Sequence, residues 1–111
     1  MRTDVIIIGG GAAGLFCAIE AGRRGRRALV LEHNAEIGRK IIISGGGRCN
    51  FTNLNTTAEN FVSRNPHFAR SALARYTPAD FVELVKAHRI EFYEKKLGQL
   101  FCRGRSHEIV E

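Results

Sequence analysis

The chain opens on an apolar run without polar alternation, Asp4 to Ile8 ("DVIII"). Such a β-branched run predicts a strand buried on both faces. Glycines follow from Gly9, and then "AAGLFCAIEAGRRG" is rich in helix formers, with Gly25 placed to end the helix. Arg27 to Glu32 ("RALVLE") predicts a second buried strand. Strand, helix and strand within about thirty residues make one βαβ unit, whose crossover is expected to be right-handed.

The pattern then breaks. Ile37 to Asn60 is rich in Gly, Asn, Thr and Ser and reads as loop, with one brief apolar run at Ile41 to Ile43. Asn65-Pro66 places a cap and a first-turn proline before "HFARSALARY". Thr77-Pro78-Ala79-Asp80 starts another helix with an acid three residues after its cap. Phe81, Leu84, Val85 and His88 share a face of that helix. Glu91 to Cys102 predicts a hairpin turning near Leu97-Gly98, and Ser106 is placed to cap a last short helix. A doubly wound sheet needs more than two parallel strands, so the chain reads as the front of a larger protein.

Composition narrows the function classes. At 111 residues, 44% apolar and 25% charged, the chain is globular in character. Seventeen Lys+Arg against eleven Asp+Glu give +6, which suits an anionic partner: a nucleic acid, a membrane surface or a phosphorylated small molecule. Much of the excess lies in Gly22 to Arg27 ("GRRGRR"), either a solvated corner or a docking patch. Cys17, Cys49 and Cys102 form no C-x-x-C, and His33, His67, His88 and His107 have no ligand spacing, so no metal site is expected. Cys17, Tyr76, Phe81 and Phe92 are expected in the core, and Cys49 as a small packing residue. With no signal-peptide or membrane-spanning pattern, the expected location is cytoplasmic and no membrane partner is expected. No Ser/His/Asp or paired-carboxylate arrangement supports hydrolysis.

The first glycine loop, Gly9 to Gly14, fits G-x-G-x-x-G after a strand and before a helix, with Glu32 about twenty residues on. Gly9 permits the turn, Gly11 lets a pyrophosphate approach, and Gly14 lets helix and strand pack closely. Backbone N–H groups of Ala12, Ala13 and Gly14 then face the phosphates with the helix dipole behind them. Glu32 is positioned to accept hydrogen bonds from a ribose. Gly14, Ala18 and Gly22 put small residues on one helix face, a spacing that resembles the FAD fingerprint of glutathione-reductase-like flavoproteins. A plain NAD-binding enzyme is the closest rival.

A second glycine loop follows in "EIGRKIIISGGGRCNFTN", Glu36 to Asn53. With "KKLGQLFC" near the end, this motif resembles the aminoacetone oxidase family of bacterial NAD(P)/FAD-dependent oxidoreductases. Members of that family often have proline where this chain has Cys102, and they are several times longer. The resemblance implies that the loop contacts a flavin ring. Ser44, Gly45, Gly46 and Gly47 would give the ring clearance and free N–H groups. Lys40 and Arg48 would balance charge near its N1–C2 carbonyl, and Arg39 could equally reach the pyrophosphate. Asn50, Thr52 and Asn53 would serve the ring's polar rim or the loop's own turns.

The expected fold class is therefore α/β, a Rossmann-like FAD-binding βαβ unit of the two-dinucleotide-binding-domain type, truncated. Residues 1–36 would form the βαβ unit, 37–60 the flavin-contacting loop and 61–111 helices and a hairpin. The expected function is an FAD-dependent oxidoreductase acting on a small organic substrate, with NAD(P)H or oxygen as the second redox partner. A non-catalytic nucleotide-binding fragment and a flavin-dependent RNA-modifying enzyme are the alternatives, and a nucleic-acid partner is the less expected one.

Overall fold

The structure, a computed structural model, describes residues 2–111. Strand β1 (Val5–Ile8) runs parallel to β2 (Ala28–Leu31), with Val5 opposite Ala28 and Ile8 opposite Leu31. Helix α1 (Ala12–Arg23) connects them, and Gly25, at φ +69°, turns the chain back just beyond its end. Left-handed backbone there suits only glycine without strain. Asp4 accepts from the Arg27 N–H at 2.9 Å and ties the two strand entrances together.

Burial departs from expectation on this sheet. Ile7 is buried on the α1 side, but Ile6 is 62% and Ile8 88% exposed. The all-apolar run predicted two covered faces, and among the described residues the second, with Ile6 and Ile8, stays largely exposed. Cys17 is exposed on α1 rather than core.

The second layer is an antiparallel sheet with order β3-β5-β4, formed by Asn50–Asn53, Gln99–Cys102 and Phe92–Glu94. Its apolar face meets α4 (Pro78–Ala87). Phe51 sits between Phe81 and Phe92, at 5.9 and 5.7 Å between ring centroids. Val82, Val85, Leu100 and Cys102 are buried with them. Each such Val or Leu contributes roughly 1.5–3 kcal/mol. Phe16 meets Tyr76 edge-on at 4.9 Å and links α1 to this core.

Helix α4 begins as the sequence predicts, with a reciprocal box. The Thr77 hydroxyl accepts from Asp80 N–H at 3.2 Å, and Asp80 accepts from Thr77 N–H at 2.8 Å. His88, expected on the inner face, is exposed at the helix end against Leu84 O, and Val82 packs inward instead. The hairpin turns at Leu97 and Gly98, both at positive φ.

The segment read as loop contains structure. Helix α2 (Arg39–Ile43), a 3-10 turn over Ser44–Gly47, strand β3 and a second 3-10 turn at Ala58–Asn60 all fall within it. Strand β3 was hidden because its partner, β5, lies some fifty positions away and three of its four residues are polar. The proline-led helix also starts late. Asn65 Oδ1 accepts from His67 N–H at 3.0 Å in a local turn, and α3 spans only Arg70–Arg75. Ser106 does not cap α5 (His107–Val110) through its side chain, because its backbone is already helical at φ −54°, ψ −24°.

Candidate functional site

Gly9 leaves β1 at φ +104°, and its N–H donates to Leu31 O at 2.7 Å, which anchors the turn at the carboxyl end of the sheet. Gly14 sits so close that any Cβ there would overlap Gly9 O. Gly11 is extended at the N-cap of α1, and no side chain caps the helix. A Cβ on Gly11 would meet nothing within 4 Å, so the space over the helix start is open. The N–H groups of Ala12, Ala13 and Gly14 face it, the arrangement that binds phosphate. Of the two glycines in the small-residue stripe only Gly14 is tight; a Cβ on Gly22 would meet open space.

Glu32 lies at the edge of this opening. One carboxylate oxygen accepts from Gly10 N–H at 2.8 Å, and the other accepts from Asn34 N–H and Nδ2, each at 2.9 Å. His33 Nδ1 stands 3.3 Å from the second oxygen. The backbone N–H groups of Asn34 and Gly10 hold the Glu32 carboxyl below its usual range. The carboxylate is thus charged and fixed beside the loop, with lone pairs left for a hydroxyl donor.

The two loops are joined through Gly38, whose N–H donates to Gly10 O at 2.7 Å. Gly10 is itself crowded, for a Cβ would come within 2.9 Å of Ile37 Cγ2. This clasp brings Arg39 and Lys40, both exposed, to the first turn of α2 near the first loop. Sequence reasoning missed Gly10, Asn34 and Gly38. The doubled glycine and an Asn two residues after Glu32 were the available signals.

Ser44 Oγ donates to Ile41 O at 2.7 Å and closes α2. Gly45, Gly46 and Gly47 then all take positive φ, at 57°, 65° and 86°. Their reasons differ. At Gly45 a Cβ would press within 2.6 Å of Asn50 N and 2.9 Å of Phe101 Cε2, whereas Gly46 and Gly47 border open space. The loop is held from below by Cys49 N–H to Ser44 O, Cys102 N–H to Arg48 O and Ser106 N–H to Gly47 O, at 3.0, 2.8 and 2.9 Å. Cys49 is buried there, as a packing residue, at φ 48°.

Of the remaining candidates, Arg48 is exposed and donates to Arg103 O. Asn50 is exposed on β3 and Thr52 is half-buried opposite Leu100. Asn53 ties its own turn to the Leu97-Gly98 hairpin turn: its Oδ1 accepts from Asn55 N–H at 2.8 Å and its Nδ2 donates to Leu97 O at 3.1 Å. Two open pockets, of about 400 and 490 Å³, lie on the helical side and are lined by no residue of either glycine loop. Both loops instead border open surface, as a flat ligand laid along them requires. Among the described residues no His, Cys, Asp and Glu cluster could hold a metal, and no helix is long and apolar enough to cross a membrane.

Known proteins are similar to this chain in sequence. The chain is 54% identical over 110 residues to a protein named ribosomal RNA dihydrouridine synthase from Escherichia coli, covering 99% of the chain and 28% of that relative. A Haemophilus influenzae protein of the same name is 55% identical over 109 residues, covering 98% and 27%. A 3-dehydro-bile acid delta(4,6)-reductase from Clostridium scindens is 40% identical over 100 residues, covering 88% and 24%. The chain thus spans about a quarter of these relatives' length. A family model described as the HI0933-like protein Rossmann domain matches residues 3–111. The chain belongs to that HI0933-like Rossmann-domain family.

Proposed function

We propose that this chain forms the FAD-binding part of an FAD-dependent oxidoreductase. The observation that carries the reading is the open, uncapped start of α1 at Gly11 with the fixed Glu32 carboxylate beside it. In this reading the N–H groups of Ala12, Ala13 and Gly14 hold the pyrophosphate and Glu32 the adenosine ribose. Gly46 and Gly47, bordering open space, let the ring lie along the second loop. Arg39, Lys40 and Arg48 supply positive charge around it.

The substrate we favour is a uridine in RNA. Two relatives above half identity over nearly the whole chain carry ribosomal RNA dihydrouridine synthase as their name, and the +6 net charge suits an RNA partner. Flavin, when bound, supplies the hydride that the uridine C5–C6 double bond takes up together with one proton; NAD(P)H is the class of reductant that restores it. This departs from the small-molecule substrate expected from sequence. The second reading keeps that substrate, supported by the bile-acid reductase relative and by the resemblance to the aminoacetone oxidase family.

The test is to purify the protein, record its visible absorption and identify the cofactor released on denaturation. Flavin absorption with released FAD is expected. A protein that neither retains FAD nor binds it when supplied would refute the reading.

A further inference from the structure

The β3-β5-β4 sheet has two unlike faces. Residues directly opposed across strands share a face, so Asn50, Phe101 and Tyr93 form one row, and Asn53 and Gln99 another on the same side. The opposite side carries Phe51, Phe92, Leu100 and Cys102, packed under α4. A sheet of this size needs only one apolar face, yet the outer one keeps an aromatic pair. Tyr93 and Phe101 stack at 6.0 Å and 24°.

Cations frame that pair. Lys95 Nζ lies 5.3 Å from the Phe101 ring centroid, and Arg103 Cζ lies 5.9 Å from that of Tyr93. Arg48, bonded to Arg103 O, adds a third exposed charge. Among the described residues none of the three is in an ion pair. Glu94, the nearest acid in sequence, stands opposite Leu100 on the other face. The second glycine loop adjoins directly, since a Cβ on Gly45 would touch the Phe101 ring.

We propose that this outer face, with Tyr93 stacked on Phe101 between Lys95, Arg103 and Arg48, is a docking surface for single-stranded RNA beside the flavin loop. The inference rests on the RNA reading above. Unstacked bases need aromatic or guanidinium planes, and their phosphates need flanking cations. Phe101 is buried at 8% exposure and backs the pair, whereas Tyr93 is half-buried and Lys95 and Arg103 are exposed, so the Tyr93 plane and the two charges are within reach of a strand. A strand crossing the face in this way would carry a splayed base towards Gly46.

The experiment measures binding of a labelled uridine-rich single-stranded RNA to the flavin-loaded protein across a salt series. Lys95→Glu with Arg103→Glu should weaken binding at least about tenfold and lower the log–log salt slope by about 1.4 for two lost phosphate contacts. Tyr93→Leu should weaken binding about tenfold with the salt slope unchanged. Should a charge-reversed variant lose its fold by circular dichroism, Lys95→Ala with Arg103→Ala replaces it. Wild-type protein that binds RNA while the variants bind equally well would overturn this surface and leave the RNA reading standing. Flavin-loaded protein that binds no RNA, or binds anionic-lipid vesicles instead, would overturn both. A duplex of the same sequence bound as tightly would overturn the stacking role.

Discussion

Gly10 donates its backbone N–H to the Glu32 carboxylate across 2.8 Å, so the first glycine loop and the end of β2 form one hydrogen-bonded unit. The contact explains why the doubled glycine matters. Gly10 lies under Ile37 and beside the Glu32 Cβ, where a side chain of its own would not fit.

That contact makes stability sensitive to acid. Because Asn34 and Gly10 hold the Glu32 carboxyl low when folded, the unfolded chain binds its proton first. The stabilisation is complete above the usual carboxyl value near 4.5 and is lost as pH falls through the lower folded value. Thermal melts from neutral pH down to about pH 3 should therefore fall less steeply for Glu32→Gln than for the wild type. Parallel acid limbs would show that the carboxylate contributes nothing.

The glycines of the first loop should separate into two kinds. Gly14→Ala forces a Cβ onto Gly9 O and should cost at least about 2 kcal/mol in denaturant unfolding. Gly11→Val enters open space at an ordinary φ of −87°, so the fold should tolerate it. Its side chain occupies the proposed pyrophosphate position, and FAD affinity should drop at least about tenfold, or 1.4 kcal/mol. Unchanged titration of FAD into Gly11→Val would remove the site.

The second loop divides in the same way. Gly45→Ala and Gly46→Ala both place a Cβ on left-handed backbone, at about 1–2 kcal/mol each. Only Gly45→Ala also meets Asn50 N and the Phe101 ring, so it should be less stable than Gly46→Ala by about 1 kcal/mol or more. Gly46→Ala should instead weaken flavin binding, because its Cβ points into the open surface. Equal melting temperatures for the two variants would contradict the packing at Gly45.

How much was legible follows from where each signal resides. The βαβ unit, the Thr77–Asp80 box and the Leu97-Gly98 turn are local patterns, and each was readable. Strand β3 was not, since three of its four residues, Asn50, Thr52 and Asn53, are polar and the segment acquires strand geometry only by pairing with β5. The order of residues placed Glu32 near the glycine loop, but not the Asn34 and Gly10 bonds that aim it. Ile6 and Ile8 predicted a covered face that the described residues leave exposed. Ser106 looked like a cap, yet it is fully buried, and its hydroxyl has no partner among the described residues.

Ser106 gives a stability test of its own. A buried hydroxyl without a hydrogen bond carries a desolvation cost and returns nothing, so removing it should be neutral or stabilising. Ser106→Ala is expected to change unfolding free energy by no more than about 0.5 kcal/mol, or to raise it. The backbone N–H to Gly47 O bond survives the substitution. A loss above about 1 kcal/mol would mean that the hydroxyl is paired in solution.

The three thiols should differ sharply in reactivity. Cys17 is exposed on α1, whereas Cys49 is buried and Cys102 completely so. Burial is the main cause that pushes the Cys102 thiol up to about 11, with the neighbouring Cys49 adding to it; burial also raises Cys49. Since the thiolate is the reacting form, both effects work against modification at mildly alkaline pH. Brief treatment of the native protein with iodoacetamide should label Cys17 alone, and all three cysteines should label after unfolding in guanidinium. Peptide mass spectrometry reads this directly. Native labelling of Cys102 at the Cys17 rate would mean that β5 is open to solvent, and the packing that supports the second glycine loop from below would then be wrong.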